Sequence, residues 1–228
     1  VERNEISLDS DVKISANAAA EPASKLWLRK GQKIKLRYLI RAAAIKSAND
    51  AATAIGEAIS GSEAAFGKRM TRTARALGMN STTFKNAHGL TQSGHLSTAR
   101  DMSILGRHMI YDYPQYYNLF SRRSASARVA TVRNTNRRLL NSYKGADGIK
   151  TGYTRAAGSN LVASAERGSE RIIATMFGGS SAAARNARVV KLLDMGFARA
   201  PSTAKLQKPA LPHLSLIHIS EPTRPERI

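Results

Sequence analysis

The 228-residue chain has no cysteine, which excludes a disulfide framework, a thiolate metal site and a cysteine nucleophile. Its apolar runs fall well short of the length that crosses a bilayer, so no transmembrane helix is expected. No glycine-rich loop able to cradle phosphate is present, and no cofactor is expected. The opening, VERNEISLDSDVKIS, lacks a start methionine, a basic n-region and an apolar h-region. It reads as the inside of a domain whose targeting segment is missing. Acidic residues are also scarce: 16 Asp and Glu face 36 Lys and Arg, a formal charge of +20.

That charge favours anionic surroundings, whether nucleic acid, an acidic polymer or an anionic membrane. The densest basic stretch, RRSASARVATVRNTNRR from Arg122 to Arg138, carries six arginines and neither an acid nor an aromatic residue on which a base could stack. The alternation around ARVATVRN reads as a strand with arginine on its wet face, and nucleic acid is not expected as a partner.

The 42% hydrophobic content is ordinary for a globular protein. Ile6 to Ile14 alternates like a short strand pair with LDSD as its turn. In GQKIKLRYLIRAAAI, residues Ile34, Leu36, Leu39, Ile40 and Ala43 form a helical face. Three helices follow: NDAATAIGEAIS, stopped by Gly61; SEAAFGKRMTRTARALGM, capped by Ser62 and stopped by Gly78; and STARDMSILGRHMIYDY, closed by Pro114. From about Arg128 the period becomes two, and DGIKTGYT, SNLVASAER and RIIATMFGG read as an antiparallel meander. The last helix, SAAARNARVVKLLDMGFARA, turns Val189, Val190, Leu192, Leu193 and Phe197 toward a core. The fold class is α/β in the α+β sense, an antiparallel sheet flanked by helices with a helical lobe. Residues 1–200 form one domain; 201–228, with five prolines and no sustained period, read as a disordered or foreign tail.

Two short motifs carry chemistry. Ser47-Ala48-Asn49 precedes an alanine-rich helix, where Ser and Asn suit either helix capping or the handling of a proton and an amide. Lys150-Thr151-Gly152 lies on the first strand of the meander and puts a charge, a hydroxyl and an open backbone side by side. Alone each is weak; in this order, separated by helices and a loop, they are far more specific.

The ordered pair resembles the penicilloyl-serine transferases, whose motifs are Ser-x-x-Lys, Ser-x-Asn and Lys-Thr-Gly. SANDAATAIGEAISGSEAAFGKRM, ARALGMNSTTFKNAHGL, STARDMSILGRHMI, DGIKTGYTRAAGSNLVASAERGSERIIATMFGG and LLDMGF are similar, in order, to the low-molecular-mass D-alanyl-D-alanine carboxypeptidases, from about Val1 to Ala200. The resemblance implies a β-lactamase/transpeptidase-like fold and a serine hydrolase of the cell envelope or periplasm. By that resemblance it would act on peptidoglycan stem peptides ending in D-Ala-D-Ala and be inhibited by β-lactam antibiotics. A missing segment would account for any peripheral membrane association. Ser47 would relay a proton and Asn49 hold the peptide amide. Lys150 would fix Ser47 and attract the terminal carboxylate, Thr151 bond that carboxylate, Gly152 admit the peptide along the strand edge, and the Tyr153 backbone N–H form half of an oxyanion hole.

The expectation is further that no nucleophile motif stands between Val1 and Ser47, so that the helix bearing it would precede Val1 and this polypeptide would be inactive. Ser202-Thr-Ala-Lys205 has the spacing but follows Lys-Thr-Gly, and Ser15-Ala-Asn17 has no matching Lys-Thr-Gly strand. His88, in NAHGL, reads as a turn or packing residue, His95 and His108 more so, and no metal site is expected. The alternatives are a class A-like β-lactamase, disfavoured by the lack of a Glu-rich loop between Asn49 and Lys150, and a non-catalytic peptidoglycan- or nucleic-acid-binding module.

Overall fold

The computed structural model describes residues 1, 4–201, 207–210 and 212. Most of the expected tail, the Ser202–Lys205 motif included, lies outside the described residues.

The helical lobe comes first. Strand β1 (Asp11–Lys13) leads into α1 (Ala16–Ala20), and β2 (Lys33–Lys35) runs directly into α2 (Leu36–Arg41) and a π-helical turn, Ala42–Lys46. Strand β1 pairs with β2, Val12 opposite Ile34, so Ile6–Ile14 is not a strand pair of its own. Ile34 belongs to that strand and not to the helix expected there. Ile34 and Leu36 are both buried, and a two-residue spacing suits the end of a strand as well as the start of a helix.

Helix α3 (Asn49–Ser60) ends at Gly61, whose φ of 75° is the left-handed conformation that closes a helix. Helix α4 (Glu63–Ala76) is capped by the Ser62 hydroxyl, which accepts from Ala65 N–H at 3.2 Å. Helix α5 (Ala99–Asp112) is capped by Thr98. Pro114 opens the short α6 (Pro114–Tyr117), as its missing N–H allows at a first helical position.

The basic stretch forms a hairpin, β3 (Ser124–Ser126) with β4 (Thr131–Arg133), and an unanticipated short helix, α7 (Arg137–Ser142). Val132 and Ala127 enter the core formed by Val12, Ile34, Leu39, Ile45 and Ala51, and the six arginines remain exposed.

Strands β5 (Ala146–Thr154), β6 (Gly158–Arg167) and β7 (Glu170–Gly179) form the antiparallel meander, in the order β5-β6-β7. Helix α8 (Ala182–Arg199) covers one face, where Leu161, Ala163 and Ala165 meet Val189 and Leu193. The other face turns Ile149, Val162 and Ile173 toward Ile110 and Tyr117. The period of two in β6 thus separates two cores. Full burial of a leucine or valine such as Leu161, Leu193 or Val189 is worth roughly 1.5–3 kcal/mol each, which anchors the sheet carrying Lys150.

Candidate active site

Ser47 follows the π-helical turn with φ 61° and ψ 44°, a left-handed conformation that costs a non-glycine residue about 1–2 kcal/mol. Such a turn and such a φ concentrate at functional positions. The capping account fails here: the N-cap of α3 is Ala48, with no side-chain cap bond. The start of α3 is held instead by Asp50, 0% exposed, whose carboxylate accepts from Leu26, Leu28 and Ala51 N–H at 2.9–3.1 Å. Asn49 is buried beside it. Its N–H donates to Ser24 O at 2.7 Å and its Nδ2 to Pro22 O at 2.9 Å, which engages the donor end of the carboxamide.

Lys150, 103 residues further on, donates from Nζ to the Ser47 hydroxyl, and to the Thr151 carbonyl at 2.9 Å. The contact joins the helical lobe to the sheet. Burial lowers the Lys150 ammonium to about 8, because desolvation disfavours its charge. Because Ser47 Oγ accepts from Lys150, its own proton is free to be given elsewhere. The arrangement leaves a hydroxyl proton available on the side of Ser47 away from the Lys150 ammonium.

The Thr151 hydroxyl lies 2.6 Å from that of Thr135. Gly152 pairs with Asn160 in β6, and a Cβ there would meet nothing nearer than Asn160 Cβ at 3.7 Å. The fold itself therefore does not require glycine at 152. Strand β5 is the edge of its sheet, so its outer backbone groups can pair with an extended ligand. Tyr153 stands on this edge, 70% exposed. Behind Gly152, the buried Arg185 guanidinium donates to Asn186 Oδ1 at 2.9 Å and to Asn160 O at 3.4 Å, and desolvation lowers its pKa.

The structure thus brings Ser47, Lys150 and Thr151 together, with Asn49 two residues from Ser47 and Gly152 and Tyr153 further along β5. Thr135 also belongs to the cluster and was missed. Its only trace in the sequence is Asn134-Thr135-Asn136, an ordinary-looking turn.

The three histidines among the described residues are engaged elsewhere. His88 Nδ1 accepts from Leu90 N–H at 3.1 Å, so Nε2 carries the proton and faces Glu21 at 3.2 Å and Glu63 at 3.4 Å. These three side chains offer ligand atoms within 4.8 Å of one another, but a metal on Nε2 would need a second lone pair on a ring already using one for Leu90. The cluster is a hydrogen-bonded brace, completed by Thr53 Oγ1 to Glu21 at 2.9 Å and Ala87 N–H to Glu63 at 3.0 Å. His95 Nδ1 accepts from Lys85 N–H, and burial lowers its pKa; His108 Nδ1 lies 2.7 Å from Asp112.

The nucleophile spacing does occur once before Ser47, contrary to expectation: Ser10-Asp11-Val12-Lys13 is Ser-x-x-Lys. It is not helical. Asp11–Lys13 is β1, where positions three apart point to opposite faces, and Ser10 Oγ accepts from Ser7 N–H at 3.0 Å in the preceding turn. Ser15, of the other expected decoy, caps α1 by accepting from Ala18 N–H at 2.9 Å.

A family model described as D-alanyl-D-alanine carboxypeptidase matches residues 1–181. DacF of Bacillus subtilis is 39% identical over 204 residues, covering 87% of this chain and 52% of the relative. DacC of Escherichia coli is 35% identical over 192 residues, covering 84% and 48%. The chain spans about half the length of these curated relatives. Among solved structures, penicillin binding protein 5 from Haemophilus influenzae superposes with a TM-score of 0.81 at 33% identity, covering 86% of this chain and 58% of its own. Penicillin-Binding Protein D2 from Listeria monocytogenes, in its ampicillin-bound form, gives 0.78 at 33% identity, covering 86% and 80%. The fold is that of these penicillin-binding proteins, and the chain belongs to the D-alanyl-D-alanine carboxypeptidase family.

Proposed function

We propose that this protein removes the terminal D-alanine of peptidoglycan stem peptides in the cell envelope, on the periplasmic side of the membrane. Residues 1–200 would supply the proton relay and the carboxylate anchor of the catalytic domain. The observation that carries this reading is the Lys150–Ser47 contact between two lobes, with the Thr151 hydroxyl and the open Gly152 edge beside it.

Each residue has a task that its geometry supports. The peptide lies along β5 as an added strand. The Lys150 charge and the Thr151 hydroxyl take its terminal carboxylate, while Asn49 Oδ1 accepts a peptide N–H. The Tyr153 N–H meets the oxyanion, a contact worth roughly 3 kcal/mol of barrier in comparable sites. Ser47, its oxygen turned to Lys150, hands a proton to the departing amine. The nucleophile and its base belong to a helix-borne Ser-x-x-Lys. Neither Ser10, in a turn before a strand, nor Ser47 fills that role. β-Lactams, which carry a carboxylate beside a strained amide, would occupy the same anchor.

The test is a titration of the 228-residue chain with an N-acylated peptide ending in D-Ala-D-Ala and with its C-terminal amide, followed by the backbone resonances of Thr151 and Tyr153. The acid should bind about tenfold more tightly, the worth of one hydrogen bond to a charged group. Lys150→Ala should abolish the preference. Equal binding of acid and amide by the unaltered chain would overturn the reading.

A further inference from the structure

Thr135 is held at the junction of the two lobes by groups that touch both motifs. Its N–H donates to Ile45 O at 3.0 Å, two residues before Ser47. Its hydroxyl meets that of Thr151 at 2.6 Å, one residue after Lys150. The residues on either side are buried asparagines, Asn134 at 3% and Asn136 at 2% exposure. Asn134 Nδ2 donates to Phe120 O and Arg122 O at 3.2 and 2.8 Å, and its Oδ1 accepts from Asn136 N–H at 2.7 Å. Asn136 Nδ2 reaches back to Gly148 O in β5 at 3.4 Å. The backbone on both sides is therefore fixed, and Thr135 is the exposed member of the three.

We infer that Thr135 is a positioning residue for the carboxylate of the substrate, acting through Thr151. This rests on the function proposed above. Two hydroxyls at 2.6 Å share one hydrogen bond, which leaves one proton of the pair unused. Either hydroxyl can donate in this pair, and a carboxylate at Thr151 selects the arrangement in which Thr135 donates, because only that one frees the Thr151 proton for the ligand. In that arrangement a hydroxyl that accepts one hydrogen bond is a stronger donor of the next, so Thr135 sets both the direction and the strength of the Thr151 donor. Its N–H bond to Ile45 meanwhile holds the turn that ends at Ser47 at a fixed distance from β5. Discrimination between a free carboxylate and an amide depends on this arrangement, because an amide NH2 placed at the Thr151 donor would meet another donor.

The experiment compares Thr135→Val, which keeps the shape, Thr135→Ala, and Thr135→Ser, which keeps the hydroxyl, by the same titration with the acid and the amide peptide. Thr135→Val and Thr135→Ala should bind the acid about tenfold more weakly and leave amide affinity unchanged. Thr135→Ser should restore the preference. The unchanged amide affinity serves as the control for folding, since a purely structural role would weaken both ligands together. An acid preference that survives in both hydroxyl-free variants overturns the inference while leaving the proposed function intact. An unaltered chain without any preference overturns that function, and this inference with it.

Discussion

At the scale of single residues, Lys150 carries a charge that its surroundings disfavour. Its folded pKa is about 8 against an ordinary 10.5. Between those values the unfolded chain holds a proton that the native chain has lost, so this group adds stability as pH rises from about 8 to 10.5; below 8 its penalty is fully present. The penalty is on the order of 3 kcal/mol at most, since each tenfold change in proton affinity is worth about 1.4 kcal/mol. Lys150→Met should therefore be more stable than the unaltered chain at pH 7, and urea denaturation should show the gap closing toward pH 10.5. A gap that does not change with pH would contradict this. Ser47 stores a smaller cost in its left-handed φ, so Ser47→Gly should exceed Ser47→Ala in stability by about 1 kcal/mol, although both lack the hydroxyl. Equal stability of the two in the same urea series would remove the claim of strain. Ser47 and Lys150 were legible in the sequence because motif order is a linear signal. Thr135 was not, because its role arises from a register that brings residues 45, 135 and 151 together, and no local pattern encodes that.

The elements divide by how their signal is carried. The meander and α8 were readable because β6 alternates between two cores and α8 keeps one apolar face, so pattern and burial coincide. Strand β2 was not, since its three residues share their apolar spacing with the helix that follows. The π-helical turn is likewise silent: Ala42–Lys46 looks like an ordinary helical run, and the bulge arises where the chain must enter the site at Ser47. Helix α4 shows how an element positions a loop. A Cβ on Gly67 would come within 2.9 Å of Lys85 O, in the loop that carries His88. Because the obstacle is backbone, it cannot rotate aside. Gly67→Ala should thus destabilise by about 1–3 kcal/mol despite alanine's helix propensity advantage of about 1 kcal/mol. A thermal midpoint equal to or above that of the unaltered chain would show that the loop yields.

At the scale of the whole molecule, the proposed active site lies where the helical lobe and the sheet meet. Two lobes meet at a Lys–Ser contact beside the sheet edge proposed above as the carboxylate anchor, and the only Ser-x-x-Lys among the described residues spans a turn and a strand. Groups that act together in acyl transfer lose nearly all their rate when the nucleophile is absent. Intact-mass and peptide mass spectrometry after incubation with a labelled penicillin tests this most directly. The 228-residue chain should keep its unmodified mass. The same chain joined upstream to a helical Ser-x-x-Lys segment should gain one penicilloyl group on the supplied serine, and should lose it again with Lys150→Ala. An adduct on Ser47, Ser10 or Ser202 of the 228-residue chain would contradict the account, because the relay would then be the nucleophile or the site would lie elsewhere.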